Sequence, residues 1–159
     1  MGGTKIDLSR DFRDLLLAFS AHDVRYLIVG AYALAVLGRP RATGDMEVWI
    51  EPTADNASRA YAALEDFGAP LHDLTAADLA QPGIVFQIGL PPLRIDILTE
   101  ISGVEFAEAW PRREQAMFDD VAVTVLGRDD FLTNKRATGR TQDLADVEAL
   151  ERLPSKPKK

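Results

Sequence analysis

Three acids carry the strongest chemical signal in this chain. Asp45 and Glu47 stand one residue apart in the apolar run Asp45-Met46-Glu47-Val48-Trp49-Ile50, and Asp96 stands between Ile95 and Ile97. Aspartate is depleted in strands, so acids inside such runs need a reason to be there. In an extended chain side chains alternate, which puts Asp45, Glu47 and Trp49 on one face, the two acids about 7 Å apart, and Met46, Val48 and Ile50 on the other. Asp96 faces away from its two isoleucine neighbours. If the two strands are adjacent, three carboxylates converge, and like charges that close raise one another's pKa unless a cation shares them. Mg²⁺ suits such a set, because it takes a few carboxylates together with phosphate oxygens and keeps some of its waters. Two ions about 3.5–4 Å apart could activate an attacking oxygen and stabilise a leaving pyrophosphate. Asp45, Glu47 and Asp96 are therefore the candidate metal ligands and catalytic groups.

A second signal complements the first. The run Leu27-Ile28-Val29 ends in Gly30-Ala31 and a small-residue helical segment. A glycine at a strand-to-helix junction lets backbone N–H groups approach an anion at the positive end of the helix, although by itself such a glycine is more often a packing device. Arg39 and Arg41 can pair with Glu51 or Asp23. Lys135, Arg136 and Arg140 read as a wet helix face with a last-turn lysine answering the helix dipole. Asp143 and Asp146 fit a cap on the last helix or a tie to Arg140 better than a metal site. Trp49 could stack on a base, but a strand tryptophan is usually packed under something. His22 and His72 are given no role.

Composition narrows the chemistry. With 159 residues, 47% hydrophobic and 27% charged, the chain suits one globular domain, expected over 1–153 with a basic tail at 154–159. A net charge of −7 argues against a general nucleic-acid coat or a membrane-surface protein. With no cysteine and only two histidines, thiolate zinc sites, cysteine nucleophiles and multi-histidine metal sites are excluded, leaving oxygen as the metal-binding atom. The start lacks an apolar signal region, Gly2 does not complete a myristoylation pattern, and no apolar run approaches the ~20 residues that span a bilayer. A cytoplasmic protein is expected.

Around the acids, alternating strands and helices specify an α/β domain. Ser9 caps a helix that buries Phe12, Leu15, Leu16 and Phe19. A strand over 26–29 turns at Gly30 into a helix over 31–37 that Gly38 stops, and Arg39-Pro40-Arg41 forms a loop. The acid-bearing strand over 45–50 leads to a helix over 54–67, buried through Ala57, Ala60, Leu64 and Phe67 and closed by Gly68. A short helix follows Thr75. Strands over 84–88 and 93–98 form a hairpin through Gly89-Leu90-Pro91-Pro92, a short helix spans 104–110, and a strand over 121–126 follows the turn at Asp119-Asp120. Two helices close the chain, one capped by Asp129 or Asp130 and ending at Gly139, the other over 142–153 with Leu144, Val147, Leu150 and Leu153 inward.

The ordered combination of Gly30-Ala31, then Asp45-Met46-Glu47-Val48, then Asp96 on a later strand resembles the nucleotidyltransferase superfamily related to polymerase β. The flanking text, Tyr26-Leu27-Ile28-Val29-Gly30-Ala31-Tyr32-Ala33-Leu34, Gly38-Arg39-Pro40-Arg41-Ala42-Thr43, and Lys135-Arg136-Ala137-Thr138-Gly139-Arg140 with Asp143-Leu144 and Asp146, resembles the small bacterial AbiEii-like branch, which includes toxins of toxin–antitoxin pairs. The resemblance covers 23–150. It implies a minimal nucleotidyltransferase fold, a mixed central sheet flanked by helices with C-terminal helices. It also implies Mg²⁺-dependent transfer of a nucleoside monophosphate from a nucleoside triphosphate to a hydroxyl acceptor. Asp45, Glu47 and Asp96 would bind the metals and Asp96 would help deprotonate the acceptor. Gly30 and Ala31 would line the triphosphate and Lys135 would reach it, with Arg41 and Arg140 as secondary contacts. Glu47 stands where aspartate is commoner, and one extra methylene moves a metal ligand by roughly 1 Å. A relative that binds nucleotide or a partner without turnover, and a phosphohydrolase using water as acceptor, are the alternatives. Transfer RNA, a protein hydroxyl or a small molecule such as an aminoglycoside are the acceptors to weigh, and an antitoxin is a further partner. A transfer RNA would require Arg39, Arg41, Lys135, Arg136 and Arg140 to gather on one rim.

Overall fold

The computed structural model describes residues 8–39, 44–90 and 92–153. The roles read for Arg41, and the basic tail over 154–159, lie outside the described residues.

The chain opens with α1 (Arg10–Ala21), whose first turn is capped by the Ser9 hydroxyl accepting from the Phe12 amide at 3.2 Å. Its apolar spacing buries Phe12, Leu15, Leu16 and Phe19 completely. Next come β1 (Tyr26–Val29), α2 (Gly30–Val36), β2 (Asp45–Ile50) and α3 (Ala54–Phe67). Thr53 caps α3 at Asn56, and Gly68 ends it in the left-handed conformation at φ 92°. Asn56 is fully buried and ties three segments together. Its Oδ1 accepts from the Arg25 amide at 2.8 Å, and its Nδ2 donates to the Arg25 and Glu51 carbonyls at 3.0 Å each. The start of α3 is thereby fastened to the residue before β1 and the residue after β2.

A hairpin of β3 (Val85–Ile88) and β4 (Arg94–Leu98) follows, then α4 (Phe106–Ala109) running into a 3₁₀ turn over Trp110–Arg112. The second hairpin joins β5 (Glu114–Phe118) and β6 (Val121–Val125), and α5 (Arg128–Thr138) and α6 (Thr141–Glu151) complete the described chain. All six strands form one mixed sheet in the order β3-β4-β2-β1-β6-β5. The β1/β2 pair is antiparallel, β4 runs parallel to β2, and β6 runs parallel to β1. Met46, Val48 and Ile50, the apolar face of β2, are fully buried, and α1 packs on α3 and β6 while α3 packs on β2. The α/β architecture with a mixed sheet and two C-terminal helices is the expected one.

Four details differ from the sequence reading. β5 escaped it because it is an edge strand in which only Phe118 is fully buried, while its other large apolar residue, Met117, faces out at 54% exposure. The helix beginning at Arg128 has Gly127 as its N-cap with no side-chain cap. Asp130 is instead buried and accepts two bonds from Arg112, at 3.0 and 2.8 Å. In α6, Leu144 is 49% exposed and the inward face carries Asp143, Asp146, Val147 and Leu150, two of them charged. Finally, Glu51 pairs with Arg25 at 3.6 Å and not with Arg39. Among the described residues no helix is long and apolar enough to cross a membrane.

Candidate active site

The parallel register of β2 and β4 brings the acids together. Glu47 is the direct partner of Asp96, and Asp45 is the partner of Arg94. Residues 94 and 96 share a face, as do 45 and 47, so three carboxylates and one guanidinium stand on the same side of two adjacent strands. Arg94 donates to Asp96 through Nε at 2.9 Å and Nη2 at 3.2 Å, and Nη2 also donates to Asp45 at 3.3 Å. The hydrogen bonds and charge of Asp96 raise the Arg94 pKa above its ordinary value. Arg94 is the residue that the sequence reading missed. Its signal was available, because a basic residue two positions before a strand acid must share that acid's face.

Glu47 is largely enclosed by the surrounding elements. Burial pushes its carboxyl pKa up, Asp96 and Asp45 push it the same way, and Lys135 and Arg140 pull against them. Its carboxylate lies over Gly30, where the chain enters α2 at φ 68°, and a Cβ at that position would overlap Glu47 Oε2. Glycine at 30 is thus required both by the left-handed backbone and by the acid packed against it. The turn and the acid pair are one device.

The third part comes from α5 and α6. Lys135 is 9% exposed and its Nζ stands 3.4 Å from Asp143. Asp143 also accepts from the Thr138 hydroxyl at 2.7 Å and from Arg140 at 2.6 and 3.2 Å. Burial works to raise the Asp143 pKa, but the bonds from Arg140 and Thr138 and the charges of Lys135 and Arg140 outweigh it and hold the group well below the usual carboxylate range. The tie from Asp143 to Arg140 is as expected, and it extends to Lys135. Arg136 pairs with Glu151.

A cleft of about 780 Å³ opens beside this assembly, and Gly30, Glu47, Lys135 and Arg140 line it. Asp45 and Asp96 adjoin Glu47 on the sheet without lining the cleft, and neither does Ala31 line it. Trp49 forms part of the lining and packs against Phe106, ring centroids 5.0 Å apart and planes at 76°. It is packed rather than free to stack.

The donor set, three carboxylates without nitrogen or sulfur, suits a hard cation such as Mg²⁺. Among the described residues no three acids or histidines are arranged as a ready cage. Arg94 bridges Asp45 and Asp96 and would have to yield one or both of them to an incoming ion.

The pKa direction of Glu47 has a measurable consequence. Its folded carboxyl keeps a proton to higher pH than in the unfolded chain, so its contribution favours folding below the ordinary range and becomes a cost as pH rises through the folded value. Glu47→Gln is therefore expected to raise Tm at pH 7 by about 2 °C, with the gain shrinking toward pH 4. A thermal melt series across pH would sink this account if the variant is less stable at pH 7.

Comparison with known structures gives the fold its context. The lincosamide antibiotic adenylyltransferase LnuA, solved with lincomycin bound, superposes with a TM-score of 0.57 over 92% of this chain and 98% of its own, at 14% identity. The antibiotic-resistance factor ANT(2'')-Ia superposes with a TM-score of 0.60 over 88% of this chain and 80% of its own, at 13% identity. The chain has the nucleotidyltransferase fold. A candidate nucleotidyltransferase from Thermotoga maritima shares this nucleotidyltransferase fold at a TM-score of 0.55 and 11% identity, over 90% of this chain and 89% of its own. No protein-family profile matches the sequence, and no curated protein matches it significantly.

Proposed function

We propose that this protein is an Mg²⁺-dependent nucleotidyltransferase that moves a nucleoside monophosphate from a nucleoside triphosphate to a hydroxyl acceptor. The observation that carries the reading is the convergence of Asp45, Glu47 and Asp96 on one face of β2 and β4, beside a cleft lined by Gly30, Lys135 and Arg140, on a fold shared with an adenylyltransferase. Mg²⁺ held by Asp45, Glu47 and Asp96 would offset the negative charge that gathers on the phosphate oxygens. Asp96 takes the proton from the acceptor hydroxyl as its oxygen bonds to the α-phosphorus. The bond from that phosphorus to the bridging oxygen breaks, and pyrophosphate leaves with the electron pair. Lys135, held by Asp143, and the exposed Arg140 act as fixed positive charges toward the triphosphate. Gly30, which lines the cleft, and Ala31 beside it would supply backbone at the mouth of α2, with the Glu47 carboxylate packed where a Gly30 Cβ would stand. The Lys135–Arg140–Asp143 cluster in the AbiEii-like motif supports a second reading of the biological setting, a toxin acting on transfer RNA or protein.

The test is transfer of label. Wild-type protein with Mg²⁺ and each α-labelled nucleoside triphosphate is expected to label an acceptor from total RNA, protein or a panel of small hydroxyl compounds, and Asp45→Ala is expected to abolish it. Triphosphate binding without pyrophosphate release would identify a relative that does not turn over. Free nucleotide released without an acceptor would identify a phosphohydrolase.

A further inference from the structure

The sheet ends at β5, which among the described residues pairs with β6 alone and has no strand on its other side. The turn decides which groups face that open side. The two-residue loop Asp119-Asp120 joins Phe118 to its partner Val121, and a two-residue hairpin closes on a hydrogen-bonded pair. Counting back, Glu114 and Ala116 direct their N–H and C=O groups to β6, while Gln115 and Met117 direct theirs to the open edge. Edge strands are commonly guarded by lysine, proline or a bulge. β5 has none of the three, and both Gln115 and Met117 are uncharged and exposed.

The two ends of this strand carry opposite charge. Arg112-Arg113 precede it and Asp119-Asp120 follow it. Arg112 is taken by Asp130 and Asp120 by Arg13. Arg113 and Asp119 have no ion-pair partner among the described residues: Arg113 donates to the Trp110 carbonyl and lies over its ring, and Asp119 accepts from the Leu8 amide. A strand positive at its start and negative at its end is complementary to a second copy of itself run antiparallel. With Ala116 on a two-fold axis, Arg113 of each copy stands opposite Asp119 of the other. The same register sets Gln115 opposite Met117, so the residues with outward backbone groups meet as hydrogen-bonded pairs, and the small alanines fall where the chains come closest. The other edge strand, β3, lies in the uncharged run 81–93 and has no charge to fix such a register.

A groove of about 410 Å³ runs beside the edge, with Tyr26, Trp110, Gln115, Met117, Ala122 and Thr124 in its lining. Gln115 and Met117 share a face with Thr124 and Ala122, their partners in β6, so Met117 of a second copy, set beside Gln115, comes over that groove. We infer that β5 is the edge at which two copies of this chain pair, antiparallel about a two-fold axis at Ala116, with Met117 of each copy covering the groove of the other. Pairing of the same patch on both copies closes the assembly at a dimer. It uses no residue that lines the active-site cleft, and it does not depend on the nucleotidyltransferase reading.

Sedimentation equilibrium of the full chain tests it. A strand of five residues on each side makes a small interface, so a reversible dimer with a dissociation constant of about 10 µM is expected. Met117→Lys places a guarding charge on the edge and is expected to weaken the dimer at least about tenfold, while Val85→Lys on β3 is expected to leave it unchanged. The register has a readout of its own, because the chain has no cysteine. Ala116→Cys meets itself across the axis and is expected to form an intermolecular disulfide under oxidised glutathione at least about tenfold faster than Met117→Cys, whose two Cα atoms would stand more than about 7 Å apart. Melting curves show that each variant is folded. A monomer up to about 500 µM, a dimer as tight in Met117→Lys as in wild type, or cross-linking of Ala116→Cys no faster than that of Met117→Cys would each overturn the inference.

Discussion

Asp96→Asn is expected to lower nucleotidyl transfer by at least about 10³-fold while shifting Tm by no more than a few degrees. The two halves have separate causes. For activity, Asp96 is proposed as both metal ligand and proton acceptor, and an amide is poor at either task. For stability, the substitution removes opposing terms. It costs Arg94 its bidentate partner, but the Arg94 side chain is 28% exposed and retains Asp45 and water. At the same time it relieves Glu47 of one of the charges that raise its pKa. Mn²⁺ binding followed by paramagnetic resonance should weaken at least tenfold in the same variant, a readout that does not depend on turnover. Transfer within tenfold of wild type would remove Asp96 from the mechanism. A collapse of Tm would mean that the Arg94 bridge is chiefly structural.

Which parts of this assembly could be read from sequence follows from the physics of each. Asp45 and Glu47 were legible because period-two alternation puts them opposite three fully buried apolar residues, and an acid in such a run is conspicuous. Gly30 was legible as a junction, but the contact that explains it, the Glu47 carboxylate over its Cα, is tertiary and has no sequence pattern. Asp96 was legible as an outlier, whereas its meeting with Glu47 depended on β4 joining β2, which connectivity alone does not fix. Arg94 was overlooked because a strand-start arginine after a turn is ordinary on a wet edge. The α6 reading failed in an instructive way. Apolar spacing pointed to Leu144, yet the buried face carries Asp143 and Asp146, because acids can displace leucine from an interface once they are answered, Asp143 by Lys135 and Arg140 and Asp146 by a hydrogen bond from Gln142. The helix N-cap at Gly127 was misplaced for a related reason. Asp130 looks like a capping residue, but it is engaged by Arg112 from the turn after α4.

That same buried charge governs the largest stability effect. Asp143→Asn is expected to destabilise the protein at pH 7 by about 3–5 kcal/mol, because it leaves the buried Lys135 ammonium facing a neutral amide. The pairing with Arg140 contributes little of this, since the Arg140 side chain is 74% exposed. The sign with pH follows from the depressed Asp143 pKa. Above the ordinary aspartate range the full contribution is present. Below about pH 4 the unfolded chain takes up the proton first, and the advantage of wild type over the variant narrows by about 1.4 kcal/mol per pH unit until the folded group titrates as well. Urea denaturation of both proteins at pH 7 and pH 3.5 measures it, and a difference under about 1 kcal/mol at pH 7 would show that α5 and α6 do not depend on this pair. The consequence reaches the site through Lys135, whose charge is the largest influence holding the Glu47 pKa down. Asp143 therefore links the packing of the C-terminal helices to the charge state of the acid that lines the cleft.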